Sequence, residues 1–172
     1  MRIRSLSHGG ITVKNFKESV QWWWDVFKFP LISESYLSAD EVAEKKKLYN
    51  LPAGTTIHLG FIRLPKGGVL EIFEFSSYSE PNHSWNRPGP HHITLDATNI
   101  KKWHKKLSSL PNIEIMCEPT LKEGAWWFFF KDIDGNLIEL IDLGANYHAI
   151  RLLGGIAGFF MRKTKFKKYY AK

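Results

Sequence analysis

Cysteine is almost missing from this chain. Cys117 is the only one in 172 residues, so no disulfide can form within the chain, and burial and hydrogen bonding must hold the fold. Long apolar runs are missing too. Nothing approaches the roughly 18 consecutive apolar residues that a membrane span needs, and Met1-Arg-Ile-Arg-Ser-Leu-Ser-His8 lacks the apolar stretch of a signal peptide. The expectation is a cytoplasmic protein. Acidic residues are absent from one region. Arg162 to Lys172 carries six basic residues and no acidic one, which leaves 18 basic against 17 acidic residues in the rest. The net charge of +7 is therefore a property of the tail, and no nucleic-acid partner is expected.

Apolar residues are plentiful. They make up 44% of the chain, with aromatics at 15%, which is enough for a packed core and argues against disorder. The length suits one unit, or two small modules that share a core.

The chain repeats itself. His8-Gly-Gly-Ile-Thr-Val-Lys-Asn15 and His92-Ile-Thr-Leu-Asp-Ala-Thr-Asn99 each place a histidine seven residues before an asparagine. Each asparagine is a natural N-cap and opens a stretch of helical spacing. Val20, Trp23, Trp24 and Phe27 recur in the first stretch, and Ile100, Trp103 and Leu107 in the second. A second pair matches position by position: Val69-Leu-Glu71-Ile-Phe-Glu-Phe75 and Leu137-Ile-Glu139-Leu-Ile-Asp-Leu143. Both follow turn signals, Gly67-Gly68 and Asp134-Gly135.

The reading is an α+β chain of two βαβββ modules, 1–78 and 91–143, joined by the turn-rich linker 79–90. The first module has strands near 6–14, 30–37, 55–64 and 68–76 and a helix over 16–28. The second has strands near 91–97, 112–118, 125–131 and 136–142 and a helix over 99–110. An inserted helix capped at Ser38 is expected at about 39–50.

Each module offers one histidine near the start of its first strand and one glutamate in its last. Imidazole nitrogen and carboxylate oxygen together suit Zn, Ni, Co, Fe or Mn. A strand glutamate usually sits on a solvated face. Glu71 and Glu139, however, lie inside strongly apolar strands, where an unpaired carboxylate is costly. Glu74 and Asp142 fall on the opposite face by strand alternation and are expected to be the exposed ones. His91 competes with His92, but only His92 keeps the spacing seen at His8. His58, His83, His104 and His148 have no counterpart in the repeat and read as structural or surface residues.

On these segments, together with Gly89-Pro-His-His92-Ile-Thr and Phe130-Lys-Asp-Ile-Asp-Gly-Asn-Leu-Ile-Glu139-Leu, the chain resembles the vicinal oxygen chelate superfamily. The likeness spans roughly residues 5 to 143. It implies an open, mixed sheet cupped around a metal, with His8, Glu71, His92 and Glu139 as ligands to one divalent ion. Four such ligands resemble bacterial glyoxalase I. The implied activity is a metal-dependent lyase or isomerase acting on a small molecule with vicinal oxygens through an enediolate or enolate. Glu139 would be the general base and Glu71 its catalytic partner. Extradiol-type dioxygenases, methylmalonyl-CoA epimerase-like isomerases and metal-free resistance proteins of the same superfamily are the alternatives. The chain departs from the family at Phe27-Lys28 and in its tryptophan-rich segments, Trp22-Trp-Trp24 and Trp126-Trp-Phe-Phe-Phe130, which read first as core.

Residues 144–172 lie outside the resemblance. Ala149 to Met161 reads as a helix with Ile150, Leu153, Ala157 and Phe160 on one face, followed by the basic run. It reads either as a helix packed on the body or as a weak contact with an anionic membrane surface. Exposed strand edges lead to the expectation of a homodimer.

Overall fold

The structure is a computed structural model that describes residues 5–79, 85–86 and 88–170. His83 and part of the 79–90 linker lie outside the described residues. The chain is α+β and is built as two βαβββ modules with open, mixed sheets. In the first, β1 (Gly9–Val13), α1 (Phe16–Phe27), β2 (Leu31–Leu37), β3 (Ile57–Arg63) and β4 (Val69–Phe75) follow in order. The insert between β2 and β3 holds α2 (Ala39–Glu44) and α3 (Lys46–Tyr49). The second has β5 (Ile93–Asp96), α4 (Ile100–Ser108), β6 (Glu114–Ile115), β7 (Thr120–Lys122), β8 (Ala125–Lys131) and β9 (Leu137–Asp142), and α5 (Asn146–Lys163) follows. The sheet orders match, β1-β4-β3-β2 in one and β5-β9-β8-β6 in the other, with β7 paired to β8. By contact the chain divides into unit 1, which runs to Ile93 and includes Lys131–Leu137, and unit 2, which holds Thr94–Phe130 and the chain from Ile138 onward.

In unit 1, β1 lies parallel to β4, while β3 is antiparallel to both β4 and β2. The register opposes Ile11 to Ile72, Gly10 to Glu71, and Phe61 to Glu71. Period-two alternation then sorts the strands. Ile11, Val13, Ile62, Leu70 and Ile72 are buried, and α1 buries Phe16, Ser19, Trp23 and Val26. That stripe is one residue off the expected one: Trp24 is 46% exposed, and Lys28 lies over its ring instead. Asn15 caps α1 by accepting the Glu18 N–H at 3.0 Å. Ser38 and Glu41 form a full capping box on α2. The expected single inserted helix breaks at Lys45, and α3 ends at Asn50 in a left-handed conformation (φ 48°).

In unit 2, Leu95, Ile100, Leu107, Phe128, Phe130, Ile138 and Leu140 form the core. Asn99 precedes α4 but does not cap it through its side chain. It takes the left-handed conformation (φ 60°), which asparagine tolerates better than most residues. The strand expected over 112–118 shrinks to two residues. An unforeseen hairpin, β7 to β8, turns through Glu123 and Gly124, both with positive φ. Helix α5 has no fully buried residue, with Tyr147, Gly154 and Ala157 half-buried.

Gly60 gives a direct check on the packing of α1. A Cβ there would lie 2.6 Å from Phe16 Cζ and 2.9 Å from both Leu31 Cδ1 and the Ser33 carbonyl oxygen. Gly60→Ala should therefore destabilise the protein by about 1–3 kcal/mol in chemical denaturation. Unchanged stability would mean that Phe16 does not pack there.

Candidate functional site

Glu71 sits mid-strand on β4, opposite Gly10 on one side and Phe61 on the other. Its side chain is 16% exposed. Removing a carboxylate from water among aromatic neighbours needs a compensating partner. His8 supplies one: its Nε2 lies 3.2 Å from Glu71 Oε2. The imidazole lies beside the Phe61 ring at 5.7 Å and meets Ser7 Oγ through Nδ1 at 3.2 Å. Gly10 leaves room beside it for the Phe73 ring: a Cβ there would come within 3.2 Å of Phe73 Cε2, so the ring would have to shift by a few tenths of an ångström. Glu74 does face the other way, but it is not simply solvated: its Oε2 accepts the Phe16 N–H at 3.3 Å and lies 3.7 Å from His58 Nδ1.

Glu139 sits mid-strand on β9 in unit 2. Its Oε2 accepts a hydrogen bond from Thr94 Oγ1 at 2.8 Å. Thr94 stands two residues after His92, as Gly10 stands two residues after His8, so it occupies the position in β5 that Gly10 occupies in β1. His92 and His91 both line an open cavity of 710 Å³ in unit 1, together with Thr12, Leu51, Phe75 and Tyr78. Trp85 lies against both imidazoles, stacked on His91 at 5.4 Å and tilted to His92 at 5.6 Å. Leu51 in that wall follows the inserted helices, so the insert does reach the cavity. Among the described residues, no three His, Cys, Asp or Glu side chains are gathered as a metal group. The pair that is brought together is His8 with Glu71.

The turn Asp132-Ile-Asp-Gly-Asn136 carries a dense polar cluster that belongs to unit 1. Asp132 Oδ1 accepts from the Asp134 and Asn136 N–H groups at 3.0 and 2.8 Å. Asp134 accepts from the Lys14 N–H at 2.7 Å and from the buried Ser19 hydroxyl. Asn136 Nδ2 donates to the Thr12 carbonyl at 3.0 Å. The turn is thus tied to β1 and α1, next to the segment that carries His8. Burial pushes the Asp132 carboxyl up to about 7, with Asp134 adding to the rise, against the side-chain and backbone hydrogen bonds of Asn136.

The sequence profile of the Glyoxalase/Bleomycin resistance protein/Dioxygenase superfamily matches residues 5–140. The chain belongs to this superfamily. Among solved structures, it is similar to a glyoxalase family protein from Bacillus cereus, at a TM-score of 0.68 and 14% identity over 84% of this chain and 97% of that one. It is also similar to a glyoxalase family protein from Enterococcus faecalis, at 0.62 and 19% over 83% and 100%. A third likeness is to the fosfomycin resistance protein FosX from Listeria monocytogenes complexed with Mn(II) and sulfate, at 0.56 and 19% over 84% and 97%. At these identities the likeness is one of fold. Comparison with curated protein sequences returned no match.

Membership gives the polar turn a context, since it is the most specific stretch by which the chain resembles the superfamily. Here it works as a structural clasp, a role that motif matching alone does not reveal. His58 is the other surprise. Its ring is stacked between Phe16 at 3.6 Å and Tyr36 at 4.0 Å, with Glu34 3.1 Å from Nε2. Nothing in the repeat singles it out, because its partners come from β2, β4 and α1.

The clasp makes stability depend on pH. The folded pKa of Asp132 lies above its ordinary value near 4. Its neutral form therefore favours folding, and this contribution is complete below about pH 4 and lost as pH rises through about 7. The melting temperature of the wild type relative to Asp132→Asn, which cannot ionise, should fall across that window and then level. A constant difference from pH 4 to 8 would contradict it.

Proposed function

We propose that this chain is a metal-dependent lyase or isomerase of the glyoxalase type, acting on a small molecule with vicinal oxygens, with His8, Glu71, His92 and Glu139 as ligands to one divalent ion. The supporting observation is the 3.2 Å approach of His8 Nε2 to Glu71 Oε2. Two donors about 2.1 Å from one ion and at right angles stand roughly 3 Å apart, so this pair has the spacing of adjacent ligands. The donor set of two imidazoles and two carboxylates suits Zn, Ni, Co, Fe or Mn. The repeat supplies the second pair, with His92 standing to Glu139 in the sequence as His8 stands to Glu71.

A bound divalent ion would act as a Lewis acid on the substrate's carbonyl oxygen. The protein's own task is to move a proton between adjacent carbons. Glu139 takes it from the carbon next to the carbonyl, and Glu71 serves the other side. Thr94, which donates to Glu139 Oε2, orients that carboxylate. The 710 Å³ cavity in unit 1, which His92 lines but His8, Glu71 and Glu139 do not, is within the size range of small-molecule sites, and Phe75, Tyr78 and Leu51 give it an apolar wall. A reducing cytoplasmic setting and a homodimer formed through strand edges complete the proposal.

Alanine at His8, Glu71, His92 or Glu139 should weaken metal binding at least about tenfold, as losses even of outer partners do. His91→Ala should not. A reversal between the two histidines would mean that the β5 register is off by one residue. Glu139→Gln with metal retained should lower turnover by about 10²–10⁴. The screen uses hemithioacetals, methylmalonyl-CoA and catechols, with oxygen uptake followed in parallel. Full turnover in Glu139→Gln removes the base, and oxygen consumption with catechol replaces the isomerase reading.

A further inference from the structure

Helix α5 (Asn146–Lys163) presents large apolar side chains that the protein does not cover. Leu152 is 75% exposed, Ile156 63% and Phe160 61%, and Ile150, Leu153 and Phe159 are exposed as well. At 100° per residue, the apolar positions Leu152, Ile156, Phe160, Leu153, Ile150 and Met161 sweep an arc of about 180°, with Lys163 of the last turn the one cation inside it. The opposite side carries Arg151 and Arg162, with His148 and the small Gly155 and Gly158 beside them. Arg151 and Arg162 fall within about 20° of each other on that side.

The segment after the helix continues the pattern. Cations and aromatic rings alternate through Lys165, Phe166, Lys167, Lys168, Tyr169 and Tyr170, and both tyrosines are largely exposed. From Asn146 to Lys172 there is no acidic residue. Among the described residues, no helix is long and apolar enough to cross a membrane.

These features select one occupant. A second copy of the chain seated on this helix would cover the arc but, with no acidic residue from Asn146 to Lys172, would bring no counter-charge to the arginines and lysines. An RNA would neutralise the cations and leave the apolar arc in water. An anionic bilayer meets both demands: its acyl boundary takes the arc, and its headgroups take the arginines, lysines and tyrosine hydroxyls. Gly154, Gly155 and Gly158 lower the intrinsic helicity of this stretch, so burial of the arc is needed to hold the helix firmly.

We infer that α5 and the segment through Tyr170 dock in the plane of an anionic lipid surface, with the Leu152–Ile156–Phe160 arc in the acyl boundary and the basic side chains at the headgroups. This inference stands independently of the metal site.

The test is co-sedimentation of the full-length protein with vesicles of about 30% phosphatidylglycerol in phosphatidylcholine, and with pure phosphatidylcholine, at low salt. Each cation near such a surface favours binding by roughly fivefold. Binding should be at least about tenfold tighter to the anionic vesicles and should weaken strongly at about 0.5 M salt, where charges are screened within a few ångström. The quadruple substitution of Lys163, Lys165, Lys167 and Lys168 by Gln should lose about tenfold or more. Leu153→Gln with Phe160→Gln preserves net charge and should lose a similar factor, with far-UV circular dichroism confirming the fold. An unaltered affinity in that double variant would overturn the inference, since charge alone would then suffice. No binding to anionic vesicles would overturn it as well, as would a solution dimer that the double variant converts to monomer.

Discussion

The carboxylate of Glu71 is the constraint around which unit 1 is arranged. It stands on β4 opposite Phe61 and two residues before Phe73, with 16% of its side chain exposed, and it has His8 at 3.2 Å. An unpaired carboxylate in such a place costs several kcal/mol. The parallel pairing of β1 with β4 meets that cost by setting Gly10 opposite Glu71 and carrying His8 to it. A slip of one residue would turn Glu71 toward α1 and bring Ile72 out of the core. The burial of Ile11, Leu70 and Ile72 on the other face therefore also aims the His8–Glu71 pair.

A second group of buried polar side chains holds that strand in place. In the turn before β9, which Asp132 holds together, Asp134 grips Lys14 and Ser19 and Asn136 grips Thr12 at the β1–α1 junction. The hydrogen bonds of the two aspartates run to backbone N–H groups and a buried hydroxyl, so the cluster is satisfied internally. The chain thus spends its most family-specific stretch on positioning. On the proposed reading, the chemistry is left to side chains placed singly, just before β1 and β5 and along β4 and β9.

Much of this was legible in the sequence because it rests on local period. The two βαβββ halves, the caps at Asn15 and Ser38, and the opposite faces of Glu71 and Glu74 all follow from spacing and alternation. What was not legible depends on partners far along the chain. Glu74 was expected to be exposed, yet it meets His58 and the start of α1. Asn99 looks like a cap but is used for its tolerance of positive φ. Trp24 shares a helical period with Trp23, yet only Trp23 faces the sheet, because the buried stripe is fixed by Phe16 and Ser19. The tail's helix could be read from Ile150, Leu153, Ala157 and Phe160, but its exposure could not, since periodicity says which residues share a face and not what covers it.

The central claim is that the repeated His and Glu positions serve one ion rather than two unrelated salt bridges. Elemental analysis of the full-length protein, supplied with divalent ions and then freed of excess, tests this most directly. The account predicts one tightly held divalent ion per chain, a single ion for four side chains drawn from both modules. Protein that is folded by circular dichroism and yet retains no divalent ion under any supply would contradict it, and would leave His8 and Glu71 as an ordinary ion pair.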